Sequence, residues 1–295
     1  MLLSAAMRPV KLAAMGGAYG NLPALRACLD DAERTGAELT AFLGDAIGCC
    51  AHSNEVIAMI RDGFAITVAG NHEQQAVAGS ESCGCGYSSP DDEAISCEAF
   101  QLATSQLGDD ERAYLATWPD SKIVELEGGR VLLCHGSPGY TSEFLYEVEL
   151  DDLRLEAWLD AFDVRGFVCT HSGLPFVRHL RGGRFAVNCG VTGKPDHDGD
   201  PAVHYALIEL PEGEARIEIR RVTYDHEAWA RQMEAAGIAA VFVEPVRTGV
   251  WTTGVASLPV GERHRYARAG HRPQPSTPEI MDVARWSMWT LWTWV

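Results

Sequence analysis

The sequence predicts an α/β protein. Three observations carry that expectation: short apolar runs that each end in a glycine-rich or polar turn, helix-like stretches between several of them, and polar residues gathered just past the ends of the runs. Open α/β sheets place their ligands at that end of their strands. The chain has 295 residues, 46% of them hydrophobic, which suits one large domain or two small ones with a packed core.

The elements follow in order. A strand over 11–15 runs into Gly16-Gly17-Ala18-Tyr19-Gly20, and Asn21 is the expected N-cap of a helix over 22–35. A strand over 40–43 runs into Gly44-Asp45, and Asn54 is expected to cap a helix over 54–62. Strands over 65–69 and 131–134 lead into Gly70-Asn71-His72 and His135-Gly136. After a helix over 151–162, strands over 167–169 and 185–187 end at Thr170-His171 and Asn188-Cys189-Gly190. Residues 204–210 and 215–223 alternate in polarity about Pro211-Glu212-Gly213-Glu214, the pattern of an antiparallel hairpin. From about Arg263 the chain turns basic and proline-rich, a linker-like composition, and it closes with Trp286, Trp289, Trp292 and Trp294.

Lys and Arg number 24 against 41 Asp and Glu, a net charge of −17. That acid excess excludes duplex nucleic acid and anionic membranes as partners, because such binders need a basic face to displace counterions. No apolar run reaches the roughly 18 residues needed to span a bilayer. No charged segment precedes the apolar start, so a secretory signal is not expected. Nine cysteines, an odd number, read as free thiols in a reducing compartment and place the protein in the cytoplasm.

Four fragments occur in order, each after an expected strand: Leu43-Gly44-Asp45, Gly70-Asn71-His72-Glu73, His135-Gly136-Ser137-Pro138 and Thr170-His171-Ser172-Gly173-Leu174-Pro175-Phe176. Together they resemble the calcineurin-like metallophosphoesterases, in particular the compact bacterial phosphoesterase branch. Gly20-Asn21-Leu22-Pro23-Ala24-Leu25 matches that family's first loop and helix. The segment from Asn188 to Pro195 resembles its NPGSVGxP turn, and the stretch from Arg247 to Pro259 also has a family look. The resemblance covers about residues 10–266 and implies a two-layer β-sandwich flanked by helices, with two metal ions between strand ends. It suggests a catalytic domain over 1–245 and a C-terminal extension over 246–295.

The departures from the family carry information. Where the family has Asp-x-His, this chain has Gly17-Ala18-Tyr19; where it has Gly-His-x-His, this chain has Thr170-His171-Ser172-Gly173. The three missing ligands all belong to the first metal alone. The resemblance makes Asp45, Asn71, His135 and His171 the ligands of the second metal, and His72 the donor of a proton to the leaving group. Two imidazoles, a carboxylate and an amide oxygen suit one divalent transition metal per chain: Mn, Fe, Zn or Ni. Tyr19 is expected to fill vacated volume with a neutral hydroxyl.

The leading expectation is therefore a single-metal phosphoester hydrolase acting on a small phosphorylated molecule, with the Trp-rich end available for homo-oligomer contacts. Asp45, His135 and His171 also compose the 2-His-1-carboxylate inventory of non-haem iron oxygenases. A fold repurposed for non-hydrolytic or oxygen-dependent chemistry in specialised metabolism is the first alternative. A catalytically dead pseudo-phosphatase that acts as a binding module is the second. Cys49-Cys50-Ala51-His52 reads as loop packing, and Cys83-Gly84-Cys85-Gly86, with no second knuckle, as no structural zinc site. Arg178, Arg181, Lys194 and His197 could bind phosphate oxygens, although most of them read as solvated surface.

Overall fold

The structure is a computed structural model that describes residues 8–50 and 52–268. Its strands are β1 (Lys11–Met15), β2 (Leu39–Phe42), β3 (Ile66–Thr67), β4 (Ser121–Leu126), β5 (Gly129–Cys134), β6 (Gly166–Cys169), β7 (Phe176–Leu180), β8 (Arg184–Asn188), β9 (Val203–Glu209) and β10 (Arg216–Val222). They form two five-stranded mixed sheets, ordered β10-β9-β1-β2-β3 and β4-β5-β6-β8-β7. Strands β1, β2 and β3 run parallel, as do β5, β6 and β8, and each sheet is extended by antiparallel strands. The helices are α1 (Leu22–Arg34), α2 (Ser53–Gly63), α3 (Asn71–Ala78), α4 (Pro90–Ser105), α5 (Asp109–Leu115), α6 (Asp152–Phe162), α7 (His226–Ala235) and α8 (Ala240–Thr248), with a last short turn at Arg265–Arg268. No helix among the described residues is long and apolar enough to cross a membrane.

The period of two along each strand builds the layers. Leu12 and Ala14 of β1, with Ala206 and Ile208 of β9, pack against Val131, Leu133, Val168 and Val187 of the other sheet. Their neighbours Ala13 and Met15 face the opposite way, onto Leu25, Val56 and Ile57 of α1 and α2. On the second sheet Leu132, Phe167 and Ala186 turn outward to Leu155 and Leu159 of α6. The result is the expected sandwich with helices on both outer faces.

Several local expectations need correction. Asn21 caps α1 as expected, accepting from the Ala24 N–H at 3.2 Å. Asn54, in contrast, sits inside α2, whose cap is His52 without a side-chain bond; the Asn54 amide donates instead to the Gln106 carbonyl. The strand expected over 65–69 shortens to β3 because the Ala69 N–H leaves the sheet for the Pro119 carbonyl. Residues 263–265, where the expected linker begins, are packed onto the fold: Arg263 donates to the Leu258 and Ala256 carbonyls, and Arg265 to Glu262 and Asp196; the proline-rich stretch lies outside the described residues. The four terminal tryptophans lie outside the described residues.

The parallel strands deliver their C-terminal ends to one edge of the sandwich, where the loops touch. Gly44 lies at φ +90°, and a Cβ there would sit 2.2 Å from the Gly70 nitrogen, so only glycine permits this approach. Beneath it Glu73, fully buried on α3, accepts from the N–H groups of Asp45, Ala46 and Gly70 at 2.8, 2.9 and 2.8 Å. Glu73→Ala leaves three buried donors unpaired, at about 1–3 kcal/mol each. A loss of at least about 3 kcal/mol is expected, read as a lowered denaturant midpoint.

Candidate metal centre

Each strand end contributes one donor. Asp45 follows β2, Asn71 begins α3 just after β3, His135 follows β5 and His171 follows β6. All four are buried. The Nδ1 of His135 donates to the Leu43 carbonyl at 2.6 Å, which turns the Nε2 lone pair inward. The Asn71 amide nitrogen donates to the Cys83 carbonyl at 2.8 Å, leaving Oδ1 to face His135 Nε2 at 3.1 Å. His171 Nδ1 lies 3.0 Å from that same nitrogen, and Asp45 Oδ2 lies 3.3 Å from it. The four residues singled out from the sequence are thus brought together within hydrogen-bonding distance of one point.

Electrostatics makes this a cation site. Four lone-pair donors converge with room for one proton among them. Burial raises the Asp45 carboxyl, but the facing His135, His72 and His171 outweigh it and hold the group well below the usual carboxylate range. Burial depresses His135, and the Asp45 carboxylate more than reverses this, so its pKa is raised. Burial and then the charge of His135 push His171 down to about 3, which keeps it neutral. Two imidazole nitrogens, a carboxylate and an amide oxygen fit a divalent transition metal in place of the shared proton. Asp45 and His171 both adopt positive φ, +60° and +51°, uncommon for residues with a side chain and found mostly where function maintains the strain.

Neighbouring side chains crowd Gly17 and Gly173. Gly17 lies at φ +57°, and a Cβ there would meet Val191 Cγ1 at 2.3 Å. Val191 stands where the family-like turn has serine. A Cβ on Gly173 would come 3.3 Å from the Trp251 ring. Tyr19 is pushed well above its ordinary pKa, first by burial and then by Asp45, so it stays a phenol as expected.

Above the ligands opens a cavity walled by Tyr19, Tyr87, Phe144, Tyr146, Trp251 and Lys194, with Asp45 and His171 at its foot. Lys194, expected on solvated surface, places Nζ 3.7 Å above the Trp251 ring and forms no ion pair among the described residues. Burial pushes its ammonium down to about 8. His197 is also packed inside, accepting from the Trp251 N–H at 2.8 Å, whereas Arg178 and Arg181 are on the surface. Cys49 lines the cavity, and Cys50 packs with Trp229 and Met233.

His72 lies beside this centre. Its Nδ1 donates to the Ile47 carbonyl at 2.7 Å, and Nε2 lies 3.4 Å from Cys85 Sγ. Burial depresses its pKa, yet the Asp45 carboxylate raises it above the ordinary imidazole value. The Cys83-Gly84-Cys85 turn brings both sulfurs to His72, a grouping that sequence reasoning missed. Its signal, a lone C-x-C eleven residues after the histidine, names no partner.

The model of the calcineurin-like phosphoesterase family matches residues 15–210. An uncharacterized protein of Methanocaldococcus jannaschii is 26% identical over 231 residues, covering 72% of this chain and 88% of the relative. A metallophosphoesterase from Sphaerobacter thermophilus superposes with a TM-score of 0.64 at 25% identity, over 82% of this chain and all of that one. A hypothetical protein from Pyrococcus horikoshii gives 0.67 at 17% identity, again over 82% of this chain and all of its own. The ordered strand-end motifs, the double sheet and the family match agree: the chain belongs to the calcineurin-like phosphoesterases.

Proposed function

We propose that the protein hydrolyses phosphoesters of aromatic or apolar alcohols, using one divalent transition metal held by Asp45, Asn71, His135 and His171. The observation that carries this reading is the convergence of three donors on His135 Nε2 at the foot of an aromatic cavity. An ion held there polarises phosphoryl oxygens and lowers the pKa of a bound water. A side chain at position 17 would run into Val191 and Tyr19, and one at 173 would press on Trp251, which supports a mononuclear site.

Lys194 supplies the second positive charge. It reaches the cavity from the side of Gly173, backed by Trp251, and is placed to bind a phosphoryl oxygen through a charge-assisted hydrogen bond. His72, with Nδ1 fixed on Ile47, holds a proton on Nε2 for the departing alkoxide. The aromatic walls take the organic group and exclude water from it. The nine free cysteines suit a reducing compartment, and we assign the protein to the cytoplasm.

Metal analysis of protein purified without supplementation should find close to one ion per chain, and His135→Ala should lose it. Two tightly bound ions would sink the reading. So would an iron-loaded protein that consumes oxygen and hydrolyses no aryl phosphate. Lys194→Met should weaken inhibition by inorganic phosphate about 10–100-fold, the worth of one hydrogen bond to a charged group. Because the ammonium is charged below about 8 and neutral above, phosphate affinity of the unmodified protein should fall as pH rises through that value. The variant should lack this step. His72→Ala should keep its metal while turnover of an aryl phosphate drops roughly 10²–10⁴-fold.

A further inference from the structure

We infer that His72, Cys83 and Cys85 form a second ion site, sulfur-rich and suited to a soft or borderline cation such as zinc, separate from the nitrogen- and oxygen-donor centre beside it. The three ligand atoms lie within 4.8 Å of one another and all three residues are buried. The closest edge, His72 Nε2 to Cys85 Sγ, is 3.4 Å. Bonds of about 2.3 Å to sulfur and 2.0–2.1 Å to nitrogen put the sulfur–nitrogen edge of a tetrahedral zinc site at about 3.5 Å, so one ion bridges the observed pair with little movement. Tetrahedral sulfur–sulfur edges come to about 3.8 Å on the same bond lengths, within the span of the group.

The local chain is shaped for the task. Gly84 at φ +64° folds the C-x-C segment into a tight turn that carries both sulfurs to one side. The Cys85 N–H points at Cys83 Sγ at 3.3 Å, and the Asn71 amide points at Cys85 Sγ at 3.4 Å. Such donors stabilise thiolates and orient them as ligands. The Ile47 carbonyl holds the proton of His72 on Nδ1, which reserves Nε2 for the ion. Cys97 and Glu93 stand on the outer side, 3.8 and 3.9 Å from Cys83 Sγ, and form with it a competing group of donors that is less buried. Binding expels the two thiol protons and any proton on Nε2. In consequence the ion takes the proton donor out of service, and this inhibitory effect, unlike the ion site itself, rests on the proposed hydrolysis.

Cobalt(II) titration of the full-length reduced protein tests the site, since the neighbouring centre has no sulfur ligand. Sulfur-to-cobalt charge-transfer absorption should rise and saturate at one ion per chain. It should persist in His135→Ala and in Cys97→Ser, be lost in Cys83→Ser and Cys85→Ser, and be bleached by zinc. No band from the folded protein with its thiols reduced would overturn the inference, as would a band lost in Cys97→Ser and kept in Cys85→Ser. Should a serine variant fail to fold, alkylation of the unmodified protein decides. Zinc should protect Cys83 and Cys85 more than Cys97, and equal labelling with and without zinc would overturn the site. Where aryl phosphate hydrolysis is measured, excess zinc should suppress it and Cys85→Ser should relieve the suppression. A sulfur–cobalt band in a protein without hydrolysis would uphold the site and remove the proposed function instead.

Discussion

Three backbone N–H groups, from Asp45, Ala46 and Gly70, end on the single carboxylate of Glu73, and the metal centre depends on that arrangement. The carboxylate carries no ligand duty. It holds the loop after β2 against the start of α3, so that Asp45 keeps its left-handed backbone and Asn71 faces it. Without this tie, strain at Asp45 would relax and its carboxylate would swing away from His135. Burial and then the nearby Asp45 charge raise the Glu73 pKa, opposed by the Asp45 and Gly70 N–H groups and by His72. The donors from the second sheet, His135 and His171, are placed independently by β5 and β6. The centre therefore forms only when the sandwich closes.

Much of this was legible in sequence because it is written in local signals. Apolar runs with a period of two, followed by glycine and a polar donor, marked β1, β2, β5, β6 and β8. Asn21 announced α1, and the polarity pattern around Pro211 announced the hairpin. The four clustered donors could be named because each sits just after a strand in a short motif. The shortfall has a common cause. Lys194 looks like surface in sequence, and only the fold brings Trp251, more than fifty residues on, beneath its ammonium. Strand β4 has two exposed charged residues in six and reads as polar loop until Gly129–Cys134 pairs with it. The thiol turn and His72 belong to separate segments, and no spacing rule connects them.

Charge is managed by position. The protein as a whole is strongly acidic, yet the cavity faces its ligand with a histidine cluster and a lysine over an aromatic ring. A low-dielectric wall strengthens whatever charge remains inside it, so the field of one lysine in such a setting exceeds that of the same lysine on the surface. Trp251 and Leu258, which pack with Tyr146 and Leu174, come from beyond residue 245. The segment after α8 thus forms part of the wall over the ligands.

Val191 has a consequence for how this chain can change. Its methyl group occupies the place a side chain at position 17 would need, so none enters there unless Val191 shifts. Removing Val191 first would open a void beside Tyr19 and weaken packing with no gain in metal binding. Packing and backbone thus restrain position 17 together: Val191 blocks the volume, and the left-handed backbone of Gly17 disfavours any side chain.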